Sequence, residues 1–292
     1  MTDNLSNIHL SKAEFQEYGY RVVDWLAEYF DNVDQYQVLP SIEPGDIRNM
    51  LPVSAPERAE SMEEIIADLD RVVMPGVAHW QHPGWYAFFP SGASPVSALG
   101  EFVAAGLATQ GMMWSTAPAA TEIENTVLDW LVNLLGLPSS WRLDEGPGGG
   151  VIQMSASDST HLSLAVARHQ FELSGADANS LVAYGSSQAH SSIEKGARIA
   201  GFNHIRSVPV TDTFGIDANA FEQIVRDDID SGLIPAWVCS AVGTTNTTAM
   251  DPIRAIAAIA SENGMWHHAD AAYAGSAMIC PEFRELQDGV EL

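Results

Sequence analysis

Trp266-His267-His268-Ala269-Asp270-Ala271-Ala272-Tyr273-Ala274-Gly275-Ser276 carries an aspartate between a short apolar lead and a run of small residues. Ile256, Ile259 and Ala260, then Gly264-Met265, stand ahead of it. The pattern reads as a helix, a glycine turn and a short buried strand with Asp270 at its carboxyl end. In α/β proteins ligands sit at that edge, because strand ends and helix starts open there together. An acid buried there is costly unless a cation or a hydrogen-bond donor meets it, which fits a structural role as well as a functional one.

Toward the N-terminus the same rhythm repeats. Strands are expected over 181–184, 204–210, 235–242 and 265–270, with helices over 191–200, 218–231 and 252–263 between them. Such alternation predicts an α/β fold, a mostly parallel sheet flanked by helices. Three strand exits are polar: Gln188-Ala189-His190-Ser191-Ser192, Gly243-Thr244-Thr245-Asn246-Thr247 and His268-Ala269-Asp270. One histidine after a strand is more often structural than functional; three polar exits on one edge form a constellation.

Ahead of the first strand, the run from Gly146-Pro147-Gly148-Gly149-Gly150 to Ser155-Ala156-Ser157-Asp158-Ser159-Thr160 matches neither a P-loop nor a GxGxxG fingerprint, and holds no GxSxG elbow. It does set small and hydroxyl residues before a helix expected over 162–173, where free N–H groups suit a phosphate. Serine-rich caps serve ordinary helix starts equally well.

Further upstream, Ser11 and Glu14 have capping-box spacing before an amphipathic helix, and 38–58 reads as an extended connector rich in Pro, Gly and Ser. A helix over 62–73 stops at Pro75-Gly76, a buried helix is expected over 94–107, and a turn over 111–114. Thr121 and Glu124 are spaced as a second capping box for a helix over 121–135. Residues 79–91 are aromatic but broken by Pro and Gly, which predicts a packed loop lining a pocket. His79 and His82 lack a neighbouring Cys or carboxylate to complete a ligand set, so no metal site is expected.

Composition narrows the class. Hydrophobic content of 46% with 17% charged residues is that of a globular chain. The absence of a long apolar run or a signal pattern predicts a cytoplasmic protein without a membrane partner. Cys239 and Cys280 lie far apart outside any CxxC motif, and are expected as two buried thiols. A net charge of −25 disfavours nucleic acid, since nothing neutralises phosphates in bulk.

Gly148-Gly149-Gly150-Val151-Ile152-Gln153, Gln188-Ala189-His190-Ser191-Ser192, Gly243-Thr244-Thr245 and His268-Ala269-Asp270-Ala271-Ala272-Tyr273-Ala274-Gly275 together resemble the group II pyridoxal-phosphate decarboxylases. His82-Pro83, Phe89-Pro90 and Ile279-Cys280-Pro281-Glu282-Phe283-Arg284 are most similar to the aromatic-L-amino-acid decarboxylase branch. The resemblance implies the large domain of a fold-type-I pyridoxal 5'-phosphate enzyme over 86–292, behind an N-terminal helical segment over 1–85 that is swapped in a homodimer. It implies a carboxy-lyase acting on an aromatic L-amino acid, with an active site shared between protomers. Asp270 matches the acid on the cofactor's pyridine nitrogen, which keeps the ring protonated and electron-accepting. His190 matches the histidine stacked on the ring, a catalytic and substrate-facing group. Ala156 and Ser157 match phosphate-site residues, and Thr245 and Ala272 residues around the ring. Trp80, Phe88, Phe89, Pro90 and Ser91 match the aromatic substrate pocket, and Met112 a position reaching across the dimer.

One departure is large. The resemblance implies a Schiff-base lysine after a histidine, shortly beyond Leu292, followed by a mobile loop with a catalytic tyrosine and a small C-terminal domain. Lys12 and Lys195, the only lysines here, match neither place. The chain is therefore expected to be the N-terminal portion of such an enzyme, inactive as a fragment. Two alternatives stay open: an aromatic aldehyde synthase or another group II decarboxylase, and a non-catalytic cofactor-binding or dimer-forming remnant. In the aldehyde-synthase branch the position of His190 tends to be Asn, which argues against that alternative.

Overall fold

The computed structural model describes residues 9–89 and 92–292. The chain forms two compact units, Met1–Ala108 and Thr109–Leu292.

The first unit is helical. Helix α1 (Lys12–Asp31) opens with the capping box expected from Ser11 and Glu14. A short α2 (Asp46–Met50) follows the connector. Then α3 (Met62–Asp68) starts on a capping box of Ser61 and Glu64, a spacing the sequence reading passed over. Its continuation widens into a π turn, Leu69–Val73, ahead of Pro75. Helix α4 (Pro95–Leu107) lies where a buried helix was expected, but its apolar residues face outward, with Val96 80% and Leu107 71% exposed. Small and apolar residues favour helix there; among the described residues of this unit, Phe15 stacks on Phe102 of α4 while Val96 and Leu107 stay exposed.

The second unit is three-layered. Helix α5 (Pro118–Leu135) starts three residues before Thr121, so no capping box forms. Thr121 instead donates to the Ala117 carbonyl, and Glu124 accepts from the N–H of Ile152. Then come α6 (Ala156–Leu173), β1 (Leu181–Ser186), α7 (Ser192–Ile199), β2 (His204–Val208), α8 (Ala218–Asp230), β3 (Ile234–Ala241), α9 (Ile253–Glu262) and β4 (Trp266–Asp270). The four strands pair in parallel in the order β2-β1-β3-β4.

Alternation along the strands splits the core into two faces. Leu181, Ala183, Trp237 and Cys239 pack with Leu164 and Ala167 of α6 and Ile193 and Ala197 of α7. Val182, Tyr184, Val208 and Val238 pack with Phe221 and Val225 of α8 and Ile256 and Ala260 of α9. The α8 face also buries one polar network, in which the Tyr184 hydroxyl donates to Asp228 at 2.9 Å and Arg206 pairs with the same carboxylate. Cys239 is buried as expected, whereas Cys280 is exposed, because its 3₁₀ segment runs over the surface beyond the last strand. Among the described residues, no helix is long and apolar enough to cross a membrane.

Candidate active site

The strand order creates the site. From β1 the chain crosses through α7 to β2 on one side, and from β3 it crosses through α9 to β4 on the other. The loops leaving β1 and β3 therefore part, and a crevice opens at the carboxyl edge between them. His190 stands four residues beyond β1, and Thr245 four residues beyond β3. Both line one cleft of about 620 Å³, together with Ser187 and Asn246. His190 is exposed there, its Nδ1 held by the Ser192 hydroxyl at 2.9 Å and by the Ser192 N–H at 3.2 Å.

Thr245 is displayed by a loop closed on itself. Gly243 turns the chain at a φ of +88°, and a Cβ there would lie 2.4 Å from the Tyr273 ring, so only glycine fits. Thr244, buried directly behind Thr245, bonds the Thr247 hydroxyl at 2.7 Å and accepts the Ala249 N–H at 3.1 Å. Asp251 closes the loop's base, accepting the N–H groups of Ala241 at 2.7 Å and Ile216 at 2.8 Å. Burial raises the Asp251 carboxyl above the usual range, against the lowering effect of those two bonds. Thr248 sits at a φ of +58°, a strained position for a β-branched residue that the surrounding bonds over-determine.

Asp270 is the last residue of β4, paired with Ala241, and one of its carboxylate oxygens accepts the Ala272 N–H at 3.1 Å. Its side chain falls on the α6 face by strand alternation with His268 and Trp266. On that face His268 stacks on Trp237 with ring centroids 5.5 Å apart, and its Nε2 lies 3.4 Å from the Thr160 hydroxyl. Thr160 stands one turn into α6, so this contact brings the start of α6 to the carboxyl end of β4.

That start lies six residues before the expected one. Ser155 is the N-cap, its Oγ accepting the Asp158 N–H at 3.2 Å. The N–H groups of Ala156 and Ser157 belong to the first turn, where no intrahelical acceptor exists, and aim an anion-binding pole outward. The sequence placed Ala156 and Ser157 before the helix; the structure makes them its first residues.

The edge thus gathers the α6 start with Asp270, and His190 with Thr245. Ala156, Ser157, Asp270 and Ala272 do not line the cleft that holds His190 and Thr245, but β3 lies between β1 and β4 and joins the two pairs along one sheet edge. In the other unit, Trp80 stacks on Trp85 at 4.6 Å and on Phe88 at 5.8 Å, and Phe88 adopts a φ of +58°. Phe88 and Phe89 are exposed, while Pro90 and Ser91 lie outside the described residues. Buried His79 packs on Tyr36 and bonds Tyr29, and among the described residues no group of three His, Cys, Asp or Glu is arranged for a metal. Sequence reasoning missed Asp251 and the His268–Thr160 contact, and named Thr244 only as part of its motif. Only Asp251 carried a signal, as an acid before Pro252 that ends the polar loop.

The chain matches known proteins along nearly its whole length. It is 42% identical over 288 residues to the aromatic-L-amino-acid decarboxylase of Catharanthus roseus, covering 97% of this chain and 57% of that protein. It is 41% identical, also over 288 residues, to the phenylacetaldehyde synthase of Arabidopsis thaliana, covering 97% of this chain and 59% of the relative. The crystal structure of Catharanthus roseus tryptophan decarboxylase in complex with L-tryptophan superposes with a TM-score of 0.92 at 42% identity, covering 97% of this chain and 62% of that one. The chain thus spans somewhat more than half the length of the relatives it matches. Residues 44–292 match the model of the pyridoxal-dependent decarboxylase conserved domain, and the chain belongs to that family.

Proposed function

We propose that the protein carrying this chain removes the carboxylate of an aromatic L-amino acid as carbon dioxide and releases the arylalkylamine. The observation that carries the proposal is the meeting of the α6 start and Asp270 on a sheet edge that also displays His190 and Thr245. The donor set fits pyridoxal phosphate: first-turn N–H groups at Ala156 and Ser157 for the phosphate, and one Asp270 oxygen beyond the Ala272 bond for a ring N–H. When bound, that group supplies the electron sink for breaking the bond from Cα to the carboxylate.

The remaining work falls to the chain. Asp270 would accept a charge-assisted hydrogen bond from the ring N–H and so keep that nitrogen protonated. His190, fixed by Ser192 through Nδ1, lines the cleft, where it would orient the reactant and return a proton to Cα. Thr245 and Ala272 would border the ring. Trp80, Phe88, Phe89, Pro90 and Ser91 are our candidates for recognising the substrate side chain. We assign the covalent lysine to a position outside residues 1–292, because Lys12 lies in α1 and Lys195 on α7 bonds Ser191.

A homodimer is part of the same proposal. An apolar groove of about 440 Å³ between α1 and α4, and exposed Met112 in the second unit, are surfaces a second copy would cover. A cytoplasmic setting belongs to the same proposal. Amine release is favoured over aldehyde formation by the histidine at position 190. The test is product analysis on the natural protein with tryptophan, tyrosine, dopa and phenylalanine: stoichiometric carbon dioxide and amine are expected. Aldehyde with ammonia and peroxide, or no carbon dioxide, would overturn the proposal.

A further inference from the structure

Among the described residues, strand β4 pairs with β3. Slipping it by one residue would turn Asp270 from the α6 face to the α9 face. Its residues on the α9 face are His267 and Ala269, and an alanine offers little to hold a register. His267 is different. Its Nε2 lies 2.7 Å from the Oγ of Ser240, which is fully buried. In the pairing Val238 opposes His267 and Ser240 opposes Ala269, so the imidazole reaches diagonally forward toward the carboxyl edge. Ala241 and Asp270, the next pair, follow immediately.

We propose that His267 is a positioning residue: locked to Ser240, it fixes the register of β4 and so the place of the Asp270 carboxylate. A polar pair suits this task better than apolar packing. Apolar contacts tolerate sliding, whereas a displaced strand would leave a half-buried imidazole and a fully buried hydroxyl without partners. Burial, reinforced by His268, pushes the imidazole down to about 4, so it stays neutral and needs no counter-ion. On the opposite face His268 ties the same strand to Thr160, and the two neighbouring histidines clamp β4 from both sides. The role rests on the assignment of Asp270 to the cofactor ring.

The test combines backbone hydrogen exchange with pyridoxal phosphate titration of the natural protein that carries this chain, in its cofactor-free form, and of its variants. The reporting amide is Val242, whose N–H donates to the Asp270 carbonyl at 2.8 Å. H267L and S240A are each expected to speed exchange at Val242 and to weaken cofactor binding, both by roughly five- to tenfold. The double variant should be no worse than either single one. H267Q, whose amide reaches the place of Nε2, should return both readouts to within about twofold of the parent. Parental exchange at Val242 in S240A, exchange raised equally through β1 and β2, or additive effects in the double variant would each overturn the role. D270N separates the two layers: unchanged cofactor binding there removes the ring assignment, while the exchange result still decides whether His267 sets the register.

Discussion

The two units of the chain use apolar residues in opposite ways. In Thr109–Leu292 the sheet buries Trp237, Tyr184 and Val238 completely, and its helices close over both faces. In Met1–Ala108, among the described residues, only Val72 and His79 are buried, while Phe15, Leu99 and Phe102 stay exposed. The helices of both units obey the same local rules of capping and periodicity. What differs is whether the facing surface lies within the unit, so a helix can be local property while a core is not. The site chemistry gathers on the unit that completes its own core, where rigid strands hold polar groups in place.

That contrast can be broken at several strengths. The largest effect is expected from W237A, which removes a fully buried ring and its stack on His268 and should cost about 3–5 kcal/mol in urea unfolding. F102A in the first unit, half exposed and touching Phe15, should cost well under half of that. Equal losses would show that the first unit hides a core of comparable weight.

Acidity gives the next effect. His267 has a folded pKa of about 4, against an ordinary value near 6.5, so the unfolded chain takes up its proton first. The stability held in the neutral imidazole is complete above about pH 6.5 and is lost as pH falls toward 4. Asp251, raised by burial, pulls the opposite way, so the comparison is made between the parent and H267L. Unfolding curves should show the parent losing on the order of 1–3 kcal/mol relative to H267L across that window.

A third effect sits in the loop base. D251N keeps one acceptor but turns an amide N–H₂ toward a backbone N–H, leaving one of the Ala241 and Ile216 donors unpaired. It should cost about 1–3 kcal/mol by chemical denaturation. The smallest effect is expected from V96D on α4: monomer stability within about 0.5 kcal/mol, and a shift of sedimentation toward the monomer.

The fold was legible from the sequence where period and punctuation coincide. Strands β1, β3 and β4 and helices α7 to α9 lie within a residue or two of their expected places, because apolar runs end at glycine, proline or polar turns. Helix α6 was misplaced at its start since Ala156, Ser157 and Ser159 carry no apolar period, although Ser155 caps them. Thr121 and Glu124 carry capping-box spacing but sit inside α5, because Pro118 at the first position starts the helix earlier. At the site, Asp270, His190 and Thr245 could be singled out because each ends a strand or stands just beyond one. His267 and Ser240 could not, since their roles depend on each other across 27 residues, and Asp251's bond to Ile216 spans 35.

The central claim, that the α6 start and Asp270 hold the two ends of pyridoxal phosphate, has a direct test. A156P deletes one first-turn N–H at a position where proline is favoured, and Ser155 already has the extended backbone that must precede it. Titrating pyridoxal phosphate into the parent chain, A156P and D270N, with helicity checked by circular dichroism, reads both ends at once. Both variants are expected to bind about tenfold or more weakly with α6 intact. Parental affinity in both would contradict the account and move the cofactor elsewhere.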